Sequence, residues 1–174
     1  MNRIIFITGA TSGIGKASAH KFAANGDDII LAGRIKERLE ELKISIEKKY
    51  KSKIYCASFD VRNKNEVFNS IESFPEEWQS IDVLINSAGL ALGRDLFDEA
   101  SISDWETMIH TNINGLLYVT KAVIPFMIKR NGGHIINLGS TAGDVVYERG
   151  NVYCATKSAV ETISHAMRID LLAH

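Results

Sequence analysis

Short apolar runs alternate with longer amphipathic segments along the whole chain. Ile4-Ile5-Phe6-Ile7 is apolar at every position and reads as a strand buried on both faces. Residues 28–33, 53–59, 81–85 and 134–138 have the same character, which predicts five strands. Between them lie segments of helical period. The first runs over 16–25 and is stopped by Gly26; a second, highly charged, carries Leu39, Leu42 and Ile46 on one face; a third covers 63–74 and is closed by Pro75. Ser103-Asp104-Trp105-Glu106 has the spacing of a capping box and predicts the start of one long helix over 103–129. Its apolar positions are Trp105, Met108, Ile109, Leu116, Leu117, Val123 and Met127, and Pro125 predicts a bend or break near its end. Residues 151 to the terminus read as a last helix.

Strands that are apolar on both faces and alternate with helices imply an α/β architecture. The expected fold is a Rossmann-like, doubly wound parallel sheet with helices on both faces and ligand sites at the carboxyl ends of the strands. The 174 residues, 45% hydrophobic and 24% charged, fit one domain over 1–174. A net charge of −1 without a basic run argues against a nucleic-acid partner. No apolar run reaches membrane-spanning length, and Ile4–Ile7 is too short for a signal peptide, so no membrane role is expected. Cys56 and Cys154 have neither metal-ligand spacing nor the number for a disulfide framework, which points to a reducing cytoplasm. His20, His110, His134, His165 and His174 are scattered, and no metal is expected.

The candidate chemistry falls at strand ends. Thr8-Gly9-Ala10-Thr11-Ser12-Gly13-Ile14-Gly15 joins the first strand to the first helix. Glycines there let backbone N–H groups approach a diphosphate, and the helix N-terminus adds unpaired donors. The G-x-x-x-G-x-G spacing differs from the G-x-G-x-x-G fingerprint, and a plain flexible turn is the competing reading. Arg34 follows the second strand, where an NAD-preferring site places a carboxylate for the ribose 2′-OH. A 2′-phosphate needs cationic donors, so Arg34, with Arg38 one turn on and Lys36 in reach to assist, favours NADP over NAD. Solvated side chains at a helix start are the alternative. Asp60, after the third strand, either accepts from an adenine amino group or caps the next helix. Asn86-Ser87-Ala88-Gly89 offers close backbone approach to a cofactor, or is a simple tight turn.

Tyr153 and Lys157 are four apart and share a helix face. A free tyrosine titrates near ~10, so acid–base work at neutrality asks for roughly three units, or about 4 kcal/mol. A neighbouring ammonium and an oxidised nicotinamide would both favour phenolate. Ser140, in Gly139-Ser140-Thr141-Ala142-Gly143, is placed to hold a substrate oxygen in line with Tyr153. Asn112 either binds a water linking Lys157 to solvent or makes a polar contact among helices.

With these residues placed, the sequence resembles a short-chain dehydrogenase/reductase over its whole length. Thr8-Gly9-x-x-x-Gly13-x-Gly15 is similar to the family's cofactor loop, and Asn86-Ser87-Ala88-Gly89 to its Asn-Asn-Ala-Gly motif, with serine for the second asparagine. Asn112, Ser140, Tyr153 and Lys157 fall on its catalytic tetrad. Three stretches resemble the NADP-dependent 3-hydroxy acid dehydrogenase group, which includes serine and allo-threonine dehydrogenases. They are residues 81–86 with 88–93, residues 104–109, and residues 139–143 with 150–153. The resemblance implies a cofactor site of Gly9, Thr11, Ser12, Gly13, Ile14, Gly15, Arg34, Arg38, Asp60, Val61, Asn86, Ala88, Gly89, Tyr153 and Lys157. It implies that Ser140 orients the substrate C–O group, Tyr153 exchanges the hydroxyl proton, Lys157 holds the nicotinamide ribose and Asn112 keeps a relay water. It also implies a homodimer or homotetramer, since in this fold the helix over 103–129 and the Tyr153-bearing helix commonly pair between subunits. Arg149 and Glu148 are candidates to touch a charged substrate, against a plain exposed loop.

The family pattern continues past the tyrosine-bearing helix with a strand, a Pro-Gly loop, a substrate-covering segment and a final strand, none of which is present. Relative to the family the chain reads as C-terminally truncated, and the fifth strand is expected to be an exposed apolar edge. Two functional expectations stand: an NADP-dependent oxidoreductase acting on a small 3-hydroxy acid, or a catalytically inactive nucleotide-binding or oligomerisation module.

Overall fold

In the computed structural model, which describes residues 2–173, five strands form one parallel sheet. They are β1 (Ile4–Ile7), β2 (Asp28–Gly33), β3 (Ile54–Ser58), β4 (Ile81–Asn86) and β5 (His134–Asn137), in the order β3-β2-β1-β4-β5. The helices are α1 (Gly13–Ala24), α2 (Lys36–Lys49), α3 (Lys64–Glu72), α4 (Ile102–Ile109), α5 (Leu116–Lys129) and α6 (Asn151–Asp170). His174, the end of the expected last helix, lies outside the described residues.

The apolar runs are explained by the layers. Side chains of a strand alternate between faces. Ile4 and Phe6 of β1 therefore enter a core with Val67 and Ile71 of α3 and Val119 and Val123 of α5. Ile5 and Ile7 enter a second core with Ala19 of α1 and Leu39 and Ile46 of α2. Phe6, Ile5 and Ile7 are fully buried, and such a side chain contributes about 1.5–3 kcal/mol by leaving water. A polar residue on either face of β1 would lie in one of these cores. β5 is an edge strand as expected; His134 is exposed and the next three residues are half-buried.

The expected single helix over 103–129 is instead two helices joined by a π segment, His110–Gly115. The expected capping box does not form. α4 starts one residue earlier, with Ser101 as its N-cap, and the Ser103 hydroxyl pairs with that of Ser101 at 2.8 Å. Pro125 lies inside α5, which continues to Lys129. Its missing N–H removes one hydrogen bond near the helix end, while Val123 and Met127 on either side stay buried in the core. Among the described residues no helix is long and apolar enough to cross a membrane.

The direction of winding reverses between β1 and β4. Ligands of open α/β sheets bind at such a switch point, outside the carboxyl ends of the strands.

Candidate active site

The loops leaving β1 and β4 are locked together. The Thr8 Oγ1 accepts the Ser87 and Ala88 N–H groups, both at 3.1 Å. Gly9 has φ +62, and a Cβ there would lie 2.8 Å from the Ala88 Cα; one on Gly15 would lie 2.5 Å from the Gly9 carbonyl oxygen. Only glycine permits this approach of backbone to backbone. Ser12 is the N-cap of α1, but its side chain accepts no capping hydrogen bond. The first-turn N–H groups have no acceptor within the helix, and such a terminus can receive an anion.

Beside this loop is a cleft lined by Gly9, Thr11, Ser12, Gly33, Arg34, Phe59, Asp60, Val61, Arg62, Ala88, Gly89, Leu90 and Thr111. It brings together most of the residues expected to hold a cofactor, drawn from the ends of β1, β2, β3 and β4. Gly13, Ile14 and Gly15 form the adjoining start of α1. Arg38 is set apart, in a neighbouring cavity with Thr11, Lys16, Glu41, Leu42 and Ser45. Lys36 is exposed on α2. Asn86 does not line the cleft. Its Nδ2 donates to Thr120 Oγ1 at 2.8 Å and to Asn137 Oδ1 at 2.9 Å, so its side chain ties β4 to α5 and β5. The pairing of Asn86 with Asn137 across the β4–β5 ladder sets this direction.

Asp60 is in the cleft wall but does not cap α3. Asn63 does so, its Oδ1 accepting the Asn65 and Glu66 N–H groups. The Asp60 carboxylate is instead gripped by Arg62, whose Nη2 donates to Oδ2 at 2.6 Å and whose Nε donates to both oxygens at 3.0–3.1 Å. Burial acts to raise the Asp60 pKa. The hydrogen bonds and charge of Arg62, with the charge of Arg34, outweigh it and hold the carboxyl below its ordinary value.

Of the catalytic candidates, Asn112 and Lys157 come close to Gly89. Lys157 of α6 is 91% buried, and its Nζ donates to the Leu138 carbonyl at 2.7 Å. The same Nζ is 6.0 Å from the centre of the Tyr153 ring, and 3.7 Å from where a Cβ on Gly89 would stand. Burial lowers the Lys157 pKa. Asn112 Oδ1 would be 3.3 Å from that same Gly89 Cβ. Asn112 accepts the Leu90 N–H at 2.9 Å, and its Nδ2 donates to the Leu90 carbonyl at 2.8 Å and to Thr156 Oγ1 at 3.0 Å. Both amide protons are thus taken, so a relay water can reach Asn112 only as a donor to Oδ1. Ser140 is exposed beyond β5, and its Oγ accepts the Ala142 N–H at 3.2 Å. Arg149 and Glu148 are exposed and pair with each other at 3.6 Å, and Arg149 also donates to the Arg94 carbonyl.

A separate cavity of about 710 Å³ lies between β5 and α6 around His134, Asn137, Ser164 and Arg168. It contains none of the expected site residues. Gly33, Phe59, Arg62, Leu90 and Thr111 line the cleft without being expected from sequence as site residues; Arg62 matters through its grip on Asp60, and Thr111 through its side chain. Thr111 carried one signal, a polar residue on the inward face of a helix.

The family model described as "short chain dehydrogenase" matches residues 3–174. The chain is 49% identical over 168 residues to the NADP-dependent 3-hydroxy acid dehydrogenase YdfG of Escherichia coli O6:H1, covering 97% of this chain and 66% of that protein. It is 42% identical over 172 residues to sulfoacetaldehyde reductase 2 of Chromohalobacter salexigens, covering 98% and 68%. The solved closed form of serine dehydrogenase complexed with NADP+ superposes with a TM-score of 0.92 at 48% identity, over 97% of this chain and 66% of that one. The chain thus spans about two thirds of the length of these relatives.

Proposed function

The chain belongs to the short-chain dehydrogenase family, and on that premise we propose that it interconverts a secondary alcohol and a carbonyl with NADP. The proposed substrate is a small 3-hydroxy acid such as serine or allo-threonine, the class named for the relatives that match 97% of the chain. The observation that carries the reading is the position of Lys157. Its buried ammonium is 6.0 Å from the centre of the Tyr153 ring, one helical turn away, and 3.7 Å from where a Cβ on Gly89 of the nucleotide cleft would stand. Taking an ammonium out of water is costly, and a site that uses its charge offsets that cost.

The cleft fits a dinucleotide phosphate on three counts. Its glycine cradle leaves no room for a Cβ at Gly9 or Gly15. Arg34 follows β2 at the position where an NAD-preferring site places a carboxylate to receive a 2′-OH, and it lines the cleft. Thr111 Oγ1 is buried in the wall without a hydrogen-bond partner. Gly9, Thr11, Ser12, Gly13, Ile14 and Gly15 would hold the diphosphate, Arg34 the 2′-phosphate, and Asp60 and Val61 the base. Arg38 contributes from the adjoining cavity at most through its charge.

Bound NADP supplies the hydride acceptor, or in its reduced form the donor. The chain's own residues do the rest. Ser140 Oγ orients the substrate oxygen with its hydroxyl. Tyr153 takes the substrate's hydroxyl proton during oxidation and returns it during reduction. The Lys157 charge favours phenolate over phenol at Tyr153. Asn112 positions Leu90 and accepts from a water that refills the proton.

The large apolar residues left exposed on α4 and α5, namely Ile102, Ile109, Leu117 and Ile128, support assembly as a homodimer or homotetramer through these helices. The cytoplasm, where NADP is available, is the proposed compartment. The functional reading is tested by mixing the protein with NADP+ and a panel of 3-hydroxy acids and simple secondary alcohols, and following reduced nicotinamide by absorbance. Turnover confined to the 3-hydroxy acids is expected; turnover with the simple alcohols alone would refute the substrate class.

A further inference from the structure

Thr111 is the second residue of the π segment and is 7% exposed. It lines the nucleotide cleft, and its Oγ1 is buried with no hydrogen-bond partner. An unpaired buried hydroxyl costs a protein free energy, and nearly all such groups are satisfied by protein or solvent. The segment that carries it is seated against the wall assigned to the base. A Cβ on Gly115 would lie 2.8 Å from the Val61 Cγ2 and 3.2 Å from the Val61 carbonyl oxygen. Asp60, Val61, Leu90 and Thr111 line the same cleft as Ser12 and Arg34, and the contact of Gly115 with Val61 seats the π segment beside Val61. A π segment shifts the register of a helix by one residue and often occurs at functional sites. Here it turns consecutive residues to separate tasks: Thr111 to the cleft, Asn112 to Leu90 and Thr156.

Resting on the dinucleotide reading, we propose that Thr111 is a base-recognition residue whose hydroxyl hydrogen-bonds the adenine ring when the cleft fills. Threonine in a helix divides between two χ1 wells because its hydroxyl can bond backward along the helix. One rotation about χ1 exchanges the methyl and hydroxyl groups on the cleft wall. The free protein lacks a partner for the hydroxyl in the well it occupies, so the rotation gives up no hydrogen bond. Adenine offers ring-nitrogen acceptors and an amino donor, and a hydroxyl can pair with either.

The test compares wild type, Thr111→Val and Thr111→Ser by calorimetric titration with adenosine 2′,5′-bisphosphate, together with melting of the ligand-free proteins. Valine keeps the shape and deletes the hydroxyl; serine keeps the hydroxyl. Thr111→Val is expected to bind about three- to tenfold more weakly, the worth of one hydrogen bond, and to melt no lower than wild type when free. Thr111→Ser is expected to bind within about twofold of wild type. Equal binding by wild type and the valine variant overturns the inference alone, as does a valine variant that melts several degrees lower, or equal weakening in both variants. Wild type that fails to bind the nucleotide overturns the dinucleotide reading, and this inference with it.

Discussion

Asn112 holds Leu90 by both of its backbone groups, accepting the N–H at 2.9 Å and donating to the carbonyl at 2.8 Å. A side-chain amide is here doing what a neighbouring strand does in a sheet. It fixes the stretch after Gly89 in a region where the chain has no regular structure, and its second proton binds Thr156 on α6. Replacing Asn112 by alanine leaves two backbone groups of Leu90 and the Thr156 hydroxyl short of a partner. The expected loss is about 2–4 kcal/mol, or a melting temperature roughly 5–15 °C lower for a chain of this size. Asn112→Asp keeps the acceptor and loses both donors, so it should fall between the two. Thermal melting of the three proteins, monitored by circular dichroism, measures this; an alanine variant as stable as wild type contradicts the assigned role.

Arg34 stands exposed at the exit of β2 with its side chain on the cleft. If it carries the preference for a 2′-phosphate, Arg34→Glu should weaken NADP+ binding about ten- to a hundredfold, as for a lost charge-assisted contact turned repulsive. NAD+ binding should change by less than about threefold. Titration of both cofactors against both proteins checks the difference, and a parallel loss for NADP+ and NAD+ would assign Arg34 a merely structural part.

Asp60 gives a pH dependence with a definite sign. Its folded-state pKa lies below the ordinary carboxylate value, despite burial, because of Arg62 and then Arg34. A depressed carboxyl binds fewer protons folded than unfolded near pH 4, so its contribution is complete above that pH and is lost as the pH falls through the folded value. Asp60→Asn should therefore be less stable than wild type at pH 7, and the two should converge as the pH falls through the folded-state value. The pair is partly exposed, so the gap should be modest and should shrink in high salt. Urea unfolding at several pH values measures it; a gap that widens toward acid has the wrong sign.

Much of the fold could be read from the sequence because burial on both faces leaves a strong trace. Ile4–Ile7 cannot be anything but apolar, and Leu39, Leu42 and Ile46 mark the inner face of α2 at helical spacing. The glycine loop was legible for a similar reason: Gly9 and Gly15 occupy space that no side chain can enter. The break in the long helix was not. Met108, Leu116, Val119 and Val123 are buried on both sides of it, and one extra residue in a turn moves the pattern too little to register. Its only sequence trace is Thr111-Asn112 on an inward face with Gly115 after it. Side-chain directions at strand ends were equally hidden. Asn86 turns to Thr120 and Asn137, and Asp60 to Arg62, because ladder register and a neighbour two residues on decide them.

In the proposed reaction Tyr153 carries the proton for a hydride transfer to or from NADP held in the cleft beside Gly89. The direct measurement is turnover of NADP+ with serine or allo-threonine by wild type and Tyr153→Phe, with NADP+ affinity measured on the same samples. Loss of a positioned acid–base group predicts a fall of about a hundred- to ten-thousandfold in turnover, with affinity kept within about twofold. A phenylalanine variant that turns over at the wild-type rate would contradict the account.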